Sequence, residues 1–412
     1  MDQITIFDLL PPKEVHRPQY MDGAKVLSLF DGRACGMLAM LEVGVKIDRY
    51  VAYEIDKYAV QTAQHNFPII EHRGDVFHAD FTEFDGFDWL VGGSPCTYWS
   101  IAQKNNRETE ASGMGWELFS QYVRALNEAK PMFFIYENNK SMSKAIRQSI
   151  TETFGFDAIC INSALVSAQN RQRLYWVGKR NADGTYSRVD IEQPEDRGVL
   201  LVDVLERAVA INTTDNGNKA KTLMAGYYKY GTATLITNEG FKGGTTACAE
   251  PIATDIVPYV EKRLDKAVEK YGYLPEMWNP YNNAEITDKS PTLTTLSSQT
   301  ASSTVFVYCF ADPCEWDENG KPTKAISAAD GKVYTAYEVK DGQITIKGKT
   351  YPIKLPDGFY IIRKLTVREC MRLQTVPEWY EFPVSDSQAY KMLGNGWTVA
   401  VISWLIRETF RK

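Results

Sequence analysis

From Ala24 to about residue 190, short apolar runs alternate with amphipathic stretches, and this alternation constrains the fold more than any other feature of the chain. AKVLSLF reads as a buried strand, DGRACG as a turn, Met37 to Val43 as a helix and DRYVAYEI as a second strand. A helix from Lys57 to Asn66 leads to a short third strand before Asp75, and FDWLVGG is the fourth. FSQYVRALNEAK then reads as a helix and PMFFIYENN as a fifth strand. Strands separated by helices of about 10 to 15 residues predict an α/β fold, a doubly wound and mostly parallel Rossmann-like sheet that takes its ligands at the carboxyl ends of its strands.

The alternation fades beyond residue 190, so the chain divides into an extension (1–23), the α/β domain (24–190), a turn-rich β module (191–362) and a returning segment (363–412). NGNKAKTLMAGYYKYG and TDKSPTLTTLSSQTASSTVFV share a lysine, a Thr-Leu pair and many hydroxyls, a weak internal echo. YEVKDGQITIKGKTYPIKLPDG reads as a meander turning at Asp341-Gly342 and Lys347-Gly348. Helical patterning returns in TVRECMRLQTV, and a last amphipathic helix after the Gly-Asn-Gly of LGNGW is expected to dock on the first domain.

With 412 residues, 44% of them hydrophobic, the chain has the material for two domains or for one with a large insertion. Seven cysteines with no CxxC pair argue against a disulfide framework and against a zinc site, so no metal is expected. The amino terminus lacks the basic start and longer apolar run of a secretory signal, and no stretch approaches the roughly 18 apolar residues of a membrane span. A reducing cytoplasm and no membrane partner are the expectation. A net charge of −6 argues against polyanion binding by the whole surface but leaves room for a local basic groove.

The chemistry-bearing residues fall at the strand ends. In GGSPCTYWS, two glycines and a proline stop the fourth strand and present Cys96 on a tight loop, where a reactive thiol would sit, although a lone cysteine is most often core filler. The turn Phe30-Asp31-Gly32-Arg33-Ala34-Cys35-Gly36 joins a strand to a helix, where backbone approaches a ligand closely. Glu54 ends the second strand, in the place where an acid accepts hydrogen bonds from ribose hydroxyls. Asp75 ends the third and suits an adenine amino group, with Val76 against the ring. The fifth strand end supplies Glu137, a candidate acid beside the thiol. In QNRQRLYW, Arg171 and Arg173 stand two apart and share one face of an extended segment. All four histidines lie in the first fifth of the chain, so later acid–base work falls to other groups.

FDGRACG, Glu54, Asp75, GGSPC, YENN, QNRQR, LTVRECMRLQ and LGNGW, in this order, resemble the DNA cytosine-5 methyltransferases, especially phage and bacterial ones whose first motif looks like that of the eukaryotic de novo enzymes. The resemblance covers about residues 24 to 180 and 363 to 407. It implies Cys96 as the nucleophile at cytosine C6, Glu137 at N3, and Arg173 with Arg171 at the base O2 and behind the Cys96 loop. It implies S-adenosylmethionine as cofactor, contacted by Phe30, Asp31, Gly32, Gly36, Glu54, Ile55, Asp75 and Val76 and closed over by Asn395, Gly396 and Trp397. Double-stranded DNA is the implied partner, with the cytosine flipped out of the helix, and an unlinked restriction endonuclease a further one. The β module becomes the target recognition domain, where Lys219, Lys221 and Lys229, or Lys340, Lys347 and Lys349, are phosphate-contact candidates. Flipping and gap-filling side chains are expected between Ala102 and Gly115 and in the recognition domain.

The sequence departs from the family pattern at Thr97, where the family usually has Gln, at Ala34 and Cys35 for a glycine pair, and at Asn139 for the valine after Glu-Asn. Asn139 is expected to bear on the Glu137 loop. An RNA cytosine-5 methyltransferase shares the fold, but a target module of this size favours duplex DNA. A silent DNA-binding homologue is opposed by Cys96, Glu137, Arg171 and Arg173 standing together. A nicotinamide oxidoreductase explains the sheet and Glu54, but neither Cys96 nor GNGW.

Overall fold

The computed structural model describes residues 22–100, 107–206 and most of 310–411, with only short stretches between 207 and 309. Its largest sheet is built from β1 (Asp22–Leu29), β2 (Lys46–Tyr53), β3 (Glu71–His72), β4 (Trp89–Gly92), β5 (Phe133–Asn139), β6 (Ile159–Asn162), β7 (Gln172–Arg180) and β8 (Tyr186–Arg188). The strands run in the order β3-β2-β1-β4-β5-β7-β6, with β8 also on β7. β1 to β5 are parallel, whereas β7 runs antiparallel to β5, β6 and β8. The order reverses between β1 and β4, so a crevice opens beyond their carboxyl ends. The predicted α/β class and parallel core are present; the antiparallel edge is an addition to what the sequence patterning predicted.

The parallel strands carry near-continuous apolar runs because both faces of the sheet are covered. On one face α1 (Cys35–Val43) packs against the last helix of the chain, burying Met37, Leu38 and Met40 with Val401, Ile402 and Leu405. On the other face α3 (Gly113–Ala129) and α4 (Lys144–Phe154) close an aromatic core of Phe119, Tyr122, Tyr136, Phe154 and Trp176. The Tyr122 hydroxyl donates to the Leu90 and Ile135 carbonyls, so this ring is buried with its polar tip satisfied. Between these lie α2 (Lys57–Asn66) and, further on, the short α5 (Leu201–Val204).

Two helices begin earlier than their apolar patterning indicates. α1 starts at Cys35, and α3 starts at Gly113 rather than Phe119. In α3 the Gly115 amide donates to the Glu108 carboxylate, so a group outside the helix caps a glycine-containing first turn that has little propensity of its own.

In the β module, Tyr337–Lys340, Gln343–Ile346 and Lys349–Pro352 form the predicted meander, and Gly358–Tyr360 pairs with its first strand. Asp341 (φ 52°) and Gly342 (φ 68°) make its first turn, both left-handed as a two-residue hairpin of the primed type requires. Lys340 and Lys349 are exposed on this meander. Lys219, Lys221, Lys229, Lys347, residues 101–106 and nearly all of the two echo segments lie outside the described residues. The returning segment forms α6 (Val367–Leu373), α7 (Asp386–Asn395) and α8 (Val399–Arg411). Among the described residues no helix is long and apolar enough to cross a membrane.

Candidate active site

The loop after β4 is shaped by how close two strand ends come. A Cβ on Gly93 would lie 2.7 Å from the Glu137 carbonyl oxygen and 2.9 Å from Glu137 Oε2. Only glycine fits between the β4 end and the β5 end, which explains the second glycine of GGSPC. Pro95 leads into a short 3-10 turn over Cys96–Tyr98, and the amides of Trp99 and Ser100 both donate to the Cys96 carbonyl. Trp99 is fully buried and anchors the turn, while Cys96 itself remains half-buried. Beneath it the Ser94 and Tyr136 hydroxyls lie 2.7 Å apart, and the Asn138 amide donates to the Ser94 carbonyl and the Tyr136 hydroxyl, each at 3.2 Å.

Glu137 lies on β5 opposite Tyr175 of β7, and Asn139 lies opposite Arg173. This antiparallel register brings Arg173 alongside Glu137: Arg173 Nε donates to Glu137 Oε1 at 3.0 Å, with both side chains largely buried. The second carboxylate oxygen, Oε2, accepts from the Trp397 indole at 2.8 Å. Asn139 does not disturb this arrangement. Its amide donates to Asn138 Oδ1 and its own oxygen accepts from the Ser141 hydroxyl, so the polar substitute for valine is satisfied locally.

Arg171 shares a face with Arg173 but reaches the returning chain, donating to the Gly396 carbonyl at 2.8 Å and to the Gly394 carbonyl at 3.3 Å. Burial, with the neighbouring charge of Arg173, lowers its pKa to about 9; Glu137, Tyr175 and Cys96 act in the opposite direction. Its guanidinium therefore stays charged at neutral pH and clamps the GNGW loop.

At the first strand end three residues in five adopt left-handed backbone, Phe30 (φ 57°), Gly32 (φ 60°) and Ala34 (φ 62°). For Phe30 and Ala34 this costs on the order of 1–2 kcal/mol each, strain of the kind that gathers at ligand sites. Asp31 Oδ1 accepts from the Ser28 and Tyr50 hydroxyls, while its buried Oδ2 has no hydrogen-bond partner among the described residues. Desolvation raises the Asp31 pKa to about 6, the two hydroxyls opposing it. Gly36 lies close to β2: a Cβ there would lie 2.7 Å from the Tyr50 hydroxyl. The Glu54 carboxylate accepts from the backbone amides of Gly32, Ile55 and Asp56 at 2.7 to 2.9 Å, which fixes it at the mouth of the crevice. Ile55 beside it is 76% exposed. Asp75 Oδ1 caps the turn over Val76–His78 through the Phe77 amide, and Val76 is buried.

The structure thus brings Cys96, Glu137, Arg173, Arg171, Gly396 and Trp397 into one contiguous network, and gathers Asp31, Gly32 and Glu54 at an adjoining edge. The sequence reading missed Ser94, Tyr136 and Asn138 beneath the thiol loop and Glu108 and Arg107 behind it. Glu108 accepts from the Trp99 indole at 3.0 Å, and Arg107 donates to the Trp99 and Ser141 carbonyls.

Residues 24–411 match the family described as C-5 cytosine-specific DNA methylase. The orphan methyltransferase M.SPRI of Bacillus phage SPR is 25% identical to this chain over 94% of this chain and 98% of that protein. The orphan methyltransferase M.Rho11sI of Bacillus phage rho11s is 33% identical over a shorter stretch, 39% of this chain and 34% of that protein. The type II methyltransferase M1.ScrFI of Lactococcus lactis subsp. cremoris is 25% identical over 92% of this chain and 76% of that protein. Because the match runs from β1 to the end of α8, through the strand-end loops and the returning helices alike, the chain is a methyltransferase that belongs to the C-5 cytosine-specific DNA methylase family.

Proposed function

We propose that this enzyme methylates C5 of a cytosine at a defined sequence in double-stranded DNA, by way of a covalent bond between Cys96 and cytosine C6. One observation carries the reading. The Cys96 loop packs closely on Glu137 at Gly93, and each oxygen of the Glu137 carboxyl has its own donor, Arg173 or Trp397.

The chemistry follows from these groups. Cytosine C5 is a weak nucleophile, so the Cys96 thiolate adds to C6, forming the S–C6 bond and turning the ring into an enamine. Negative charge develops toward N3, where Glu137, carrying or sharing a proton, offers a hydrogen bond. Arg173 orients that carboxyl and faces the base O2, and Arg171 supports it from the returning loop. After C5 is alkylated its proton passes to water, the C5=C6 double bond re-forms as the S–C6 bond breaks to release the thiolate, and N3 returns its proton to Glu137. A half-buried thiol at a strand end reaches C6 only if the base leaves the duplex.

S-Adenosylmethionine fits the first three strand ends. Glu54 is fixed where ribose hydroxyls would donate, exposed Ile55 offers apolar surface to adenine with the buried Val76 proposed at the ring edge, and among the described residues nothing lies within 4 Å of where a Cβ on Gly32 would sit. When bound, the cofactor supplies an electrophilic methyl group. Phe30, Asp31 and Asp75 complete the proposed contacts, and Asn395, Gly396 and Trp397 close the pocket. Residues 191–362 are the proposed target-reading module, between the catalytic domain (24–190) and its returning segment (363–412). Similarity to orphan methyltransferases of Bacillus phages supports a role in protecting phage DNA from host restriction, without a dedicated nuclease partner.

The test is a mixed-sequence duplex containing 5-fluorocytosine, incubated with cofactor and either wild type or Cys96→Ala. Fluorine cannot leave as a cation, so the wild type is expected to run as a denaturant-stable adduct and the variant to run free. Adduct formation by neither protein, with cofactor binding intact in both, would refute the proposed chemistry on DNA.

A further inference from the structure

We infer that Trp397 is a positioning residue for Glu137, its indole N–H setting the carboxyl for the addition step; the inference rests on the cytosine reading above. Trp397 belongs to the returning segment, 260 residues beyond Glu137, yet donates to Glu137 Oε2 at 2.8 Å. The same oxygen lies against Gly93, whose missing Cβ would sit 2.9 Å away. Arg173 occupies the other oxygen at 3.0 Å. The carboxyl is thus held at both ends and backed by a strand terminus, which leaves it one orientation.

The indole is itself held by its backbone. Arg33, 1% exposed, donates to the Trp397 carbonyl at 3.3 Å, and the Cys35 thiol lies 3.9 Å from the same oxygen. Arg171 and the Gln374 amide take the Gly396 carbonyl, and Gln374 also takes that of Leu393 at 2.6 Å. The Thr398 hydroxyl donates to Gln374 Oε1 at 2.8 Å. A Cβ on Gly396 would lie 3.0 Å from Arg33 Nε, so the loop is drawn tight against the first turn. A tryptophan needed only as apolar cover would not require the backbone carbonyls around it to be fixed by buried donors. Fixing them is required if the ring must deliver an N–H to one oxygen.

Addition can be read without methyl transfer. When Sγ bonds to C6 and N3 takes a proton, the enamine C5 picks up a proton from water; tritium placed at C5 is lost to water, and the S–C6 bond then breaks to return cytosine and thiolate. Bacterial DNA carrying [5-³H]cytosine, incubated without cofactor, therefore reports the step Glu137 serves. Wild type is expected to release tritium, and Trp397→Phe to release it about 10-fold more slowly, as for loss of one buried hydrogen bond. Binding of S-adenosylhomocysteine should change little, about threefold at most, because the aromatic ring remains. Benzothienylalanine at position 397, which keeps the bicyclic shape without the N–H, should behave like the phenylalanine and guards against a folding defect in the latter. In ¹⁵N-labelled protein the indole resonance missing from Trp397→Phe should shift on Glu137→Gln. Equal exchange rates in wild type and both variants, or an indole resonance indifferent to Glu137→Gln, would overturn the role of Trp397 alone. A wild type that releases no tritium would overturn the cytosine reading, and the role of Trp397 with it.

Discussion

At the scale of single residues, the site depends on the absence of an atom as much as on the groups present. Gly93→Ala places a methyl within 3 Å of the Glu137 backbone and side chain, and neither can yield without separating β4 from β5. A loss of about 1–3 kcal/mol in urea unfolding is expected, with a single-turnover rate reduced at least as strongly as in Glu137→Gln. Asp31 gives a second prediction, with a sign. Its carboxyl titrates near 6 when folded and near 4 when unfolded, so the folded state holds its proton more tightly. Stability from this group is complete below pH 4 and is lost as pH rises through 6, roughly 3 kcal/mol in all. Asp31→Asn keeps the acceptor for Ser28 and Tyr50 and removes the titration, so the difference in urea stability between variant and wild type should grow from pH 4 to 6 and then level off. The placement of Cys96 and Glu137 near strand ends was legible in the sequence, because Gly-Gly-Ser-Pro stops β4 and the apolar run of β5 gives way to Glu-Asn-Asn. The bond from Trp397 to Glu137 was not, since nothing local records a contact across 260 residues. Nor did local pattern reveal that Gly36 makes room for a tyrosine hydroxyl.

At the scale of elements, periodicity recovered β1, β2, β4 and β5, since strands buried on both faces declare themselves as apolar runs. It did not recover the start of α3, because the first turn contains two glycines and depends on Glu108. Nor did it recover β7 as a strand antiparallel to β5; LYWV is apolar enough, but strand direction follows from the connection rather than from composition. Glu108 links three parts: the α3 amino terminus, the Trp99 indole and, through its own amide, the Tyr98 carbonyl. Glu108→Ala should cost about 1–2 kcal/mol as a lost cap, measured by thermal unfolding. It should also slow adduct formation on 5-fluorocytosine DNA more than Ser112→Ala does, because Ser112 makes no side-chain capping bond.

At the scale of the whole molecule, the sheet is completed by residues far from it in sequence. α8 buries Val401, Ile402, Leu405 and Ile406 against α1 and closes one face of the core. Deleting residues 399–412 uncovers that face, and the expected product is an aggregating chain without cofactor binding, assayed by soluble yield and calorimetry. An isolated 24–190 fragment should fail in the same way despite containing all of the large sheet's strands from 24 onward.

The clasp between Arg33 and Trp397 joins positions 364 residues apart. During synthesis at roughly 5–20 residues per second, Arg33 leaves the ribosome on the order of 20 to 70 seconds ahead of the loop it must grip. Through that interval the first strands have no partner for a buried cation and no cover for one face, and Glu137 lacks its second donor. A chain cut short before its final helices lacks the Arg33 clasp and the second donor to Glu137, and is expected to release no tritium from [5-³H]cytosine DNA.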